Sequence, residues 1–313
     1  MELLRKELIL PTPPPTPQCH ASTVAVVNGT PVAAWFAGTK ESAADVKIWV
    51  SRREENGWTT PQPVTPEENI PHWNPVLFET DDHTLSLFYK LGYTIPGWHT
   101  RVVSSADGGK TWSAPAQLVT GDTSGGRGPV KNKPIRTASG RLLAPASCEQ
   151  GRWRAFIDAF NGTAWEKKPI PAENETVGMI QPSLWEAPAG HIHALLRTNA
   201  GKIYRSDSFD DGETWTPARP TEMPNNNSGL DCVCTENGTV LLVCNPVEGN
   251  WAARSPLSLF ASHNNGENFE KLLDLETEPG EYSYPAIIAR GNRVFITYTY
   301  RRQNVMFCEF LLD

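Results

Sequence analysis

A chain of 313 residues with a net charge of −7 and no basic run is poorly suited to nucleic acid, whose phosphates require clustered Lys and Arg. Apolar residues make up 39% and charged ones 20%, the balance of a chain that folds around its own core. No stretch approaches the roughly eighteen consecutive apolar residues of a membrane-spanning helix.

The N-terminus, Met1 to Leu10, lacks the long apolar core of a signal peptide, so a cytoplasmic protein is expected. Residues 3–10 read as a short strand. Pro11 to Pro17, with five prolines in seven residues, reads as a stiff polyproline spacer. Six segments then share one form: a polar start, a short apolar strand, a turn at or near Gly and a second apolar strand. They are His20–Gly29, Asn74–Asp82, Asn132–Gly140, Gln181–Gly190, Ser228–Gly238 and Tyr282–Gly291. A repeat of about fifty residues, long enough for four short strands, is the signature of a propeller blade. The expectation is an all-β, six-bladed β-propeller, with residues 1–313 forming a single domain. Residues 3–10 would close the ring beside the strands at 282–300, and 11–17 would be the Pro-rich lead-in.

A turn repeats out of phase with these strands. Ser105 to Trp112 and Ser208 to Trp215 both read Ser-x-Asp-x-Gly-x-Thr-Trp, and Ser262 to Phe269 is a degraded copy. Ser51 to Trp58 and Asp158 to Trp165 keep only the Gly and Trp. The closing aromatics, Trp58, Trp112, Trp165, Trp215 and Phe269, follow at intervals of 54, 53, 50 and 54 residues. Asp caps the amides of a tight turn, Gly supplies a positive φ, and Trp packs between blades, so these turns are scaffold. The six Cys include no Cys-x-x-Cys pair of metal type; buried free thiols are expected, and no metal or cofactor. Trp73, Trp98, Trp185 and Trp251 lie outside the turns, near strand starts or loops, where an aromatic suits either sugar stacking or blade packing.

In a propeller the start of each innermost strand faces a central funnel. Aligning the blades places His20, His72, Asn74, Lys131, Asn132, Lys133, Gln181, Asn227, Ser228, Asp231, Glu281, Tyr282 and Tyr284 there. The ends of the second strands add Lys90, Glu149, Arg197, Asn245 and Arg301. Hydrogen bonding that tiles the channel accounts for any one of these residues. The set, which mixes Lys, Arg, carboxylates and Tyr, points instead to a polar ligand. A cationic funnel formed by Lys90, Lys131, Lys133, Arg197 and Arg254 inside an acidic protein would focus a small anion.

The Asp turns, the six-fold repeat and the Tyr282-Ser283 strand start resemble the sialidase superfamily, the exo-sialidases of glycoside hydrolase family 33 and their relatives. The resemblance implies a Tyr nucleophile, matched by Tyr282, and Arg residues that grip the substrate carboxylate, matched by Arg197 and Arg254. It implies an acid/base Asp in a loop after the first blade's second strand, for which Asp45 is the nearest candidate. Two positions depart. His20 stands where the family's first Arg opens the first blade. Gln181 stands where a Glu would accept the Tyr proton, and an amide is no base. His20 or His72 could move protons instead, and Glu149 or Asp231 could replace the missing base.

The leading expectation is an exo-glycosidase that releases a terminal acidic sugar, sialic acid-like or uronic, from an acidic oligosaccharide. Its catalytic set would be Tyr282, Asp45, His20 and Gln181. Substrate would be bound by Arg197, Arg254, Lys131, Lys133, Asn74, Asp231 and Glu149. Two alternatives are a lyase acting on a uronate by β-elimination and a non-catalytic glycan-binding propeller. A protein-interaction propeller ranks behind both, because it needs no charged funnel.

Overall fold

The computed structural model describes residues 1–80 and 82–312; Asp81, which belongs to the sequence segment Asn74–Asp82, and Asp313 lie outside the described residues. The protein is a six-bladed β-propeller, and each blade is an antiparallel sheet. In the first blade, Gln18–Val27, Thr30–Gly38 and Lys47–Glu54 pair in order, with Gly57–Trp58 and Gln62–Pro63 outermost. The fourth is built from Met179–Glu186, Ile192–Thr198, Lys202–Ser208 and Arg219–Pro224, and the others follow the same plan. Among the described residues the helical content is one 3-10 turn, Ile95–Gly97, and no helix is long and apolar enough to cross a membrane.

Burial falls from the inner strands to the outer ones. Gln18–Val27 is buried at every position after its first, whereas the outer strand Glu270–Glu276 has one buried residue, Leu275. This gradient explains why the inner strands read as continuous apolar runs: a strand covered on both faces has no solvent side to alternate with.

Two compact units divide the chain: Met1–Gly125 with Tyr284–Asp313, and Gly126–Ser283. In the first, a core of Val32, Ile48, Leu77 and Leu87 joins the first two blades, with Trp112 packed against it. In the second, Leu143, Leu184, Leu196 and Trp215 share a core, and Trp185, Leu230 and Leu242 share another with Phe269 at its edge. Each buried Val, Ile or Leu of these cores contributes about 1.5–3 kcal/mol relative to exposure.

The Asp turns are as the sequence predicts. Asp107 Oδ1 accepts from Ser105 Oγ at 2.8 Å and from the amides of Lys110 and Thr111 at 3.0 and 2.9 Å, while Oδ2 accepts from Thr111 Oγ1 at 2.6 Å. Asp210 repeats this with Ser208 and Thr214. Asn264 keeps part of it in the degraded copy. The motif's Gly has a second duty. A Cβ on Gly212 would lie 2.8 Å from Leu143 of the preceding blade, besides the strain of a φ of +81°.

The N-terminal strand, Glu2–Leu8, joins the blade that holds the strands at 282–300, as the sequence predicts, and its direct partner there is Asn304–Leu311. Arg293–Tyr300 is already flanked by Tyr282–Arg290 and Asn304–Leu311, so the open edge of that blade belongs to its C-terminal strand. The N-terminal strand covers that edge.

A backbone feature repeats more strictly than the side chains do. One non-glycine residue near the start of each blade has a left-handed φ: Ala21 (53°), Asn74 (40°) and Tyr284 (51°) in the first unit, and Lys131 (72°), Gln181 (54°) and Asn227 (58°) in the second. Pairing slips at the same points, between His20 and Thr23, Trp73 and Val76, and Ile180 and Ser183. These are β-bulges, which re-aim the strand start without disturbing the register beyond it. Each left-handed residue costs on the order of 1 kcal/mol, and strain of this kind gathers at working sites.

Candidate functional site

The second unit holds most of the candidate residues. Gln181 and Arg197 come from neighbouring strands of one blade, where Ile180 pairs with Arg197. The bulge at Gln181 turns its side chain so that Oε1 accepts from Arg197 Nη1 at 3.1 Å. Arg197 Nε donates to Asn227 Oδ1 at 2.8 Å, and Asn227 Nδ2 donates to Asn250 Oδ1 at 2.7 Å. The guanidinium carbon lies 5.5 Å from the ring centroids of both Trp153 and Trp251, whose rings meet edge to face. Arg197 is buried, whereas Trp251 is 62% exposed and held at a φ of +62°. An exposed, left-handed tryptophan beside a buried cation is a costly arrangement that packing alone does not call for. Nearby Glu149 is pushed above the usual carboxylate range by burial, against the pull of the Arg197 charge.

A second cluster adjoins this one. Asn132 Nδ2 donates to the carbonyls of Gln181 and Pro182 at 3.0 and 2.9 Å. Lys131 Nζ donates to Asn132 Oδ1 and to the Leu230 carbonyl, both at 2.7 Å. Burial lowers the pKa of Lys131 to about 7; the Asp231 charge opposes that shift and the Lys133 charge adds to it. Lys133 Nζ sits 3.1 Å from both Asp231 oxygens, and Ser183 Oγ donates to Asp231 Oδ1 at 2.6 Å.

Arg254 and Tyr282 form the third group. Arg254 Nη1 donates to Glu281 Oε1 at 2.7 Å and to Ser283 Oγ at 3.3 Å. The Tyr282 amide donates to the Arg254 carbonyl at 3.0 Å, and Asn245 Nδ2 donates to the Tyr282 carbonyl at 2.9 Å. The Tyr282 ring is fully buried, and a Cβ on Gly280 would come within 3.1 Å of its hydroxyl. Among the described residues, Asn226 Oδ1, Ser228 Oγ and Asn245 Oδ1 are buried without a hydrogen-bond partner, so polar groups beside this cluster still have bonds to make.

The expected cationic funnel is therefore revised for the second unit. Lys133 is matched by Asp231, Arg254 by Glu281, and Lys131 sits near half-protonation at neutral pH. Burial accounts for this, since an unmatched buried charge costs too much to keep. What remains is a polar wall in which Arg197 is held by the amides of Gln181 and Asn227 and two tryptophan rings.

The other candidates lie in the first unit. His20 is buried, with Nδ1 at 2.9 Å from Thr299 Oγ1 and its ring 4.3 Å from that of Tyr284. Asn74 carries the bulge of the second blade. Lys90 is fully buried and donates to Thr100 Oγ1 at 2.7 Å. Asp45 is exposed, and its Oδ2 accepts from the amide and hydroxyl of Thr39 at 2.9 and 2.5 Å, so it serves its own loop.

Sequence reasoning missed several residues. Trp153 and Asn250 come from loops outside the repeat, where no pattern marks them. Glu67 also comes from a loop: it accepts from Tyr89 Oη at 2.8 and 3.0 Å and lies 3.4 Å from His72 Nε2. His72 Nδ1 donates to the Val46 carbonyl at 2.7 Å. Burial works to raise the Glu67 pKa, but bonds from its own amide, Tyr89 and His72 outweigh it and hold the carboxyl low. His72 is lowered mainly by burial.

A family model described as a BNR repeat-like domain matches residues 29–296. No curated protein matches the sequence. Among solved structures, a protein of unknown function from Dyadobacter fermentans is similar over 99% of both chains, with a TM-score of 0.79 and 16% identity. A Hadza microbial sialidase matches 95% of this chain and 66% of its own, with a TM-score of 0.78 and 17% identity. Trypanosoma rangeli sialidase matches 94% of this chain and 55% of its own, with a TM-score of 0.75 and 17% identity. The chain thus spans less than two thirds of either sialidase, and at such identities the likeness is one of fold.

Proposed function

The chain belongs to the family of BNR repeat-like domains, and on that footing we propose that it is an exo-glycosidase releasing a terminal acidic sugar, sialic acid-like or uronic, from an oligosaccharide. The observation that carries the reading is Arg197 lying over Trp153 and Trp251. An aromatic face suits the C–H face of a sugar, and a guanidinium suits its carboxylate. Arg254 supplies a second guanidinium, which must exchange Glu281 for the substrate carboxylate. Asn226, Ser228 and Asn245 offer polar atoms to sugar hydroxyls.

Tyr282 is the nucleophile in this reading. A neutral phenol approaches an anionic anomeric centre without the repulsion a carboxylate would meet. Because the ring is closed off against Gly280, the segment that holds it must shift for attack. The phenol proton needs an acceptor; Gln181 cannot serve, and in this reading the carboxylate of Glu149 takes it.

β-Elimination from a uronate is the second reading, favoured by Lys131. An amine that is partly neutral near pH 7 can take the proton from C5, while an arginine neutralises the carboxylate. A product-resolved screen against sialosides, other nonulosonic acids and uronic-acid oligosaccharides separates the readings. Free acidic sugar, with turnover abolished in Tyr282→Phe but ligand affinity retained, is expected. A 4,5-unsaturated product absorbing in the ultraviolet would replace hydrolysis by elimination. Binding without turnover would make the protein a glycan-binding propeller, and Tyr282→Phe with full activity would remove Tyr282 from the mechanism.

A further inference from the structure

Arg254 grips three consecutive residues. Its Nη1 donates to Glu281 Oε1 at 2.7 Å and to Ser283 Oγ at 3.3 Å, and its carbonyl accepts from the Tyr282 amide at 3.0 Å. Ser283 Oγ donates in turn to Glu281 Oε1 at 3.1 Å. Glu281 ends the loop 277–281, which leads from the outer strand Glu270–Glu276 into the strand that opens at Tyr282. Ser255, next to Arg254, holds the other end of this loop, its Oγ donating to the Glu278 carbonyl at 2.8 Å.

Within the loop, Gly280 lies against the Tyr282 ring: a Cβ there would come within 3.1 Å of Cε2, Cζ and the hydroxyl. Residues 277–280 are exposed, yet the ring beneath is fully buried. The cover over the phenol is thus a solvent-facing loop, and the ion pair at its end fastens it. Glu281 offers Arg254 what a sugar acid would offer, a carboxylate at hydrogen-bond distance. The pair is partly open to solvent, with side chains 15% and 29% exposed, so a second carboxylate has a path to Arg254.

We propose that Glu281 is a built-in stand-in for the substrate carboxylate, and that its displacement from Arg254 is the step that uncovers Tyr282. The proposal rests on the reading of Arg254 and Tyr282 given above and adds the link between them. A ligand carboxylate that takes Arg254 leaves Glu281 without that partner, and the released end of the loop carries Gly280 off the phenol. A neutral sugar leaves the pair intact and the phenol covered. Glu281 therefore makes a carboxylate the condition of attack, not only an aid to binding. The same exchange lowers the affinity of every acid by the cost of breaking the internal pair.

Two measurements test this. Nitration of ligand-free protein with tetranitromethane, mapped by mass spectrometry, reports whether Tyr282 is reachable; Tyr93, 66% exposed, is the reference. Tyr282 should be protected in wild type. Glu281→Gln keeps the shape and removes the charge, and should raise Tyr282 nitration about tenfold relative to Tyr93. Gly280→Ala leaves Arg254 and Glu281 in place but crowds the covered ring, so it should raise nitration as well, and it decides the matter if Glu281→Gln does not fold. Calorimetry then compares galacturonate and N-acetylneuraminate with galactose as the neutral control. An acid that binds wild type should bind Glu281→Gln several-fold tighter, with galactose unchanged. Nitration of Tyr282 in wild type as fast as Tyr93, or protection that survives both variants, overturns the proposal. An acid that binds wild type and Glu281→Gln equally also overturns it, while leaving the reading of Arg254 standing. Failure of both acids to bind either protein removes Arg254 from carboxylate recognition and takes the proposal with it.

Discussion

Lys131→Met gives the sharpest test of how the second unit manages its buried charges. In the folded protein the Lys131 ammonium titrates at about 7, against 10.5 for an ordinary lysine. Between those values the unfolded chain binds the extra proton and the folded one does not. Stability must therefore climb with pH through that window, by about 1.4 kcal/mol per pH unit. From about pH 7 to about pH 9 the gain is roughly 3 kcal/mol. Below about 7 both states are protonated and the burial cost stands in full. Methionine fits the same space and escapes the titration, but it strands Asn132 Oδ1 and the Leu230 carbonyl, each at a cost of about 1–3 kcal/mol. The variant should be clearly less stable than wild type near pH 9 and close to it, or more stable, near pH 6. Urea unfolding of both proteins across that range measures the difference, and other titrating groups cancel. A difference that stays constant with pH would refute the account of Lys131 as a buried, half-protonated amine.

Gln181→Glu places a carboxylate 3.1 Å from Arg197 Nη1. It should raise cleavage of an aryl sialoside above background if the sialidase mechanism lacks only its base; lower activity on the native substrate with no such gain would indicate separate chemistry. Trp251→Ala should leave the melting temperature nearly unchanged, the ring being mostly exposed, and cost about 1–2 kcal/mol in saccharide binding by calorimetry. Asp107→Ala should lower the melting temperature at neutral pH by removing the acceptor of four turn bonds. Those bonds depress the Asp107 pKa, so its contribution is present above the usual carboxylate range and lost as pH falls through the depressed value. The gap between Asp107→Ala and wild type should therefore close in strong acid.

The blades are legible in the sequence because their rules are local. Ser-x-Asp-x-Gly-x-Thr-Trp encodes a turn whose every bond lies within seven residues, and the inner strands announce themselves as unbroken apolar runs. The site is legible only in part. Gln181 and Arg197 are found because both lie on regular strands. Of their aromatic partners, Trp251 is found as a tryptophan outside the turns, whereas Trp153 is hidden because it comes from a loop that follows no period. The left-handed positions are hidden for a different reason: Ala21, Asn74, Lys131, Gln181, Asn227 and Tyr284 share a backbone angle and no side-chain type. An alignment by residue type sets Tyr282 beside Gln181, whereas the backbone sets Tyr284 there. Charge matching is equally invisible, since Glu281 and Asp231 reach their partners only after folding.

The six left-handed residues also govern what these positions can become. A left-handed backbone admits glycine, asparagine and unbranched side chains far more readily than valine, isoleucine or threonine. Each blade start is thus an interchangeable socket with a restricted alphabet, and at Ala21, Asn74 and Gln181 a register that recovers two or three residues later insulates it from the core. Within that alphabet a cation, an amide or a phenol can be exchanged without repacking the sheet. New ligand chemistry on this scaffold is accordingly most accessible by rewriting these few letters, and β-branched replacements there should be the first to fail.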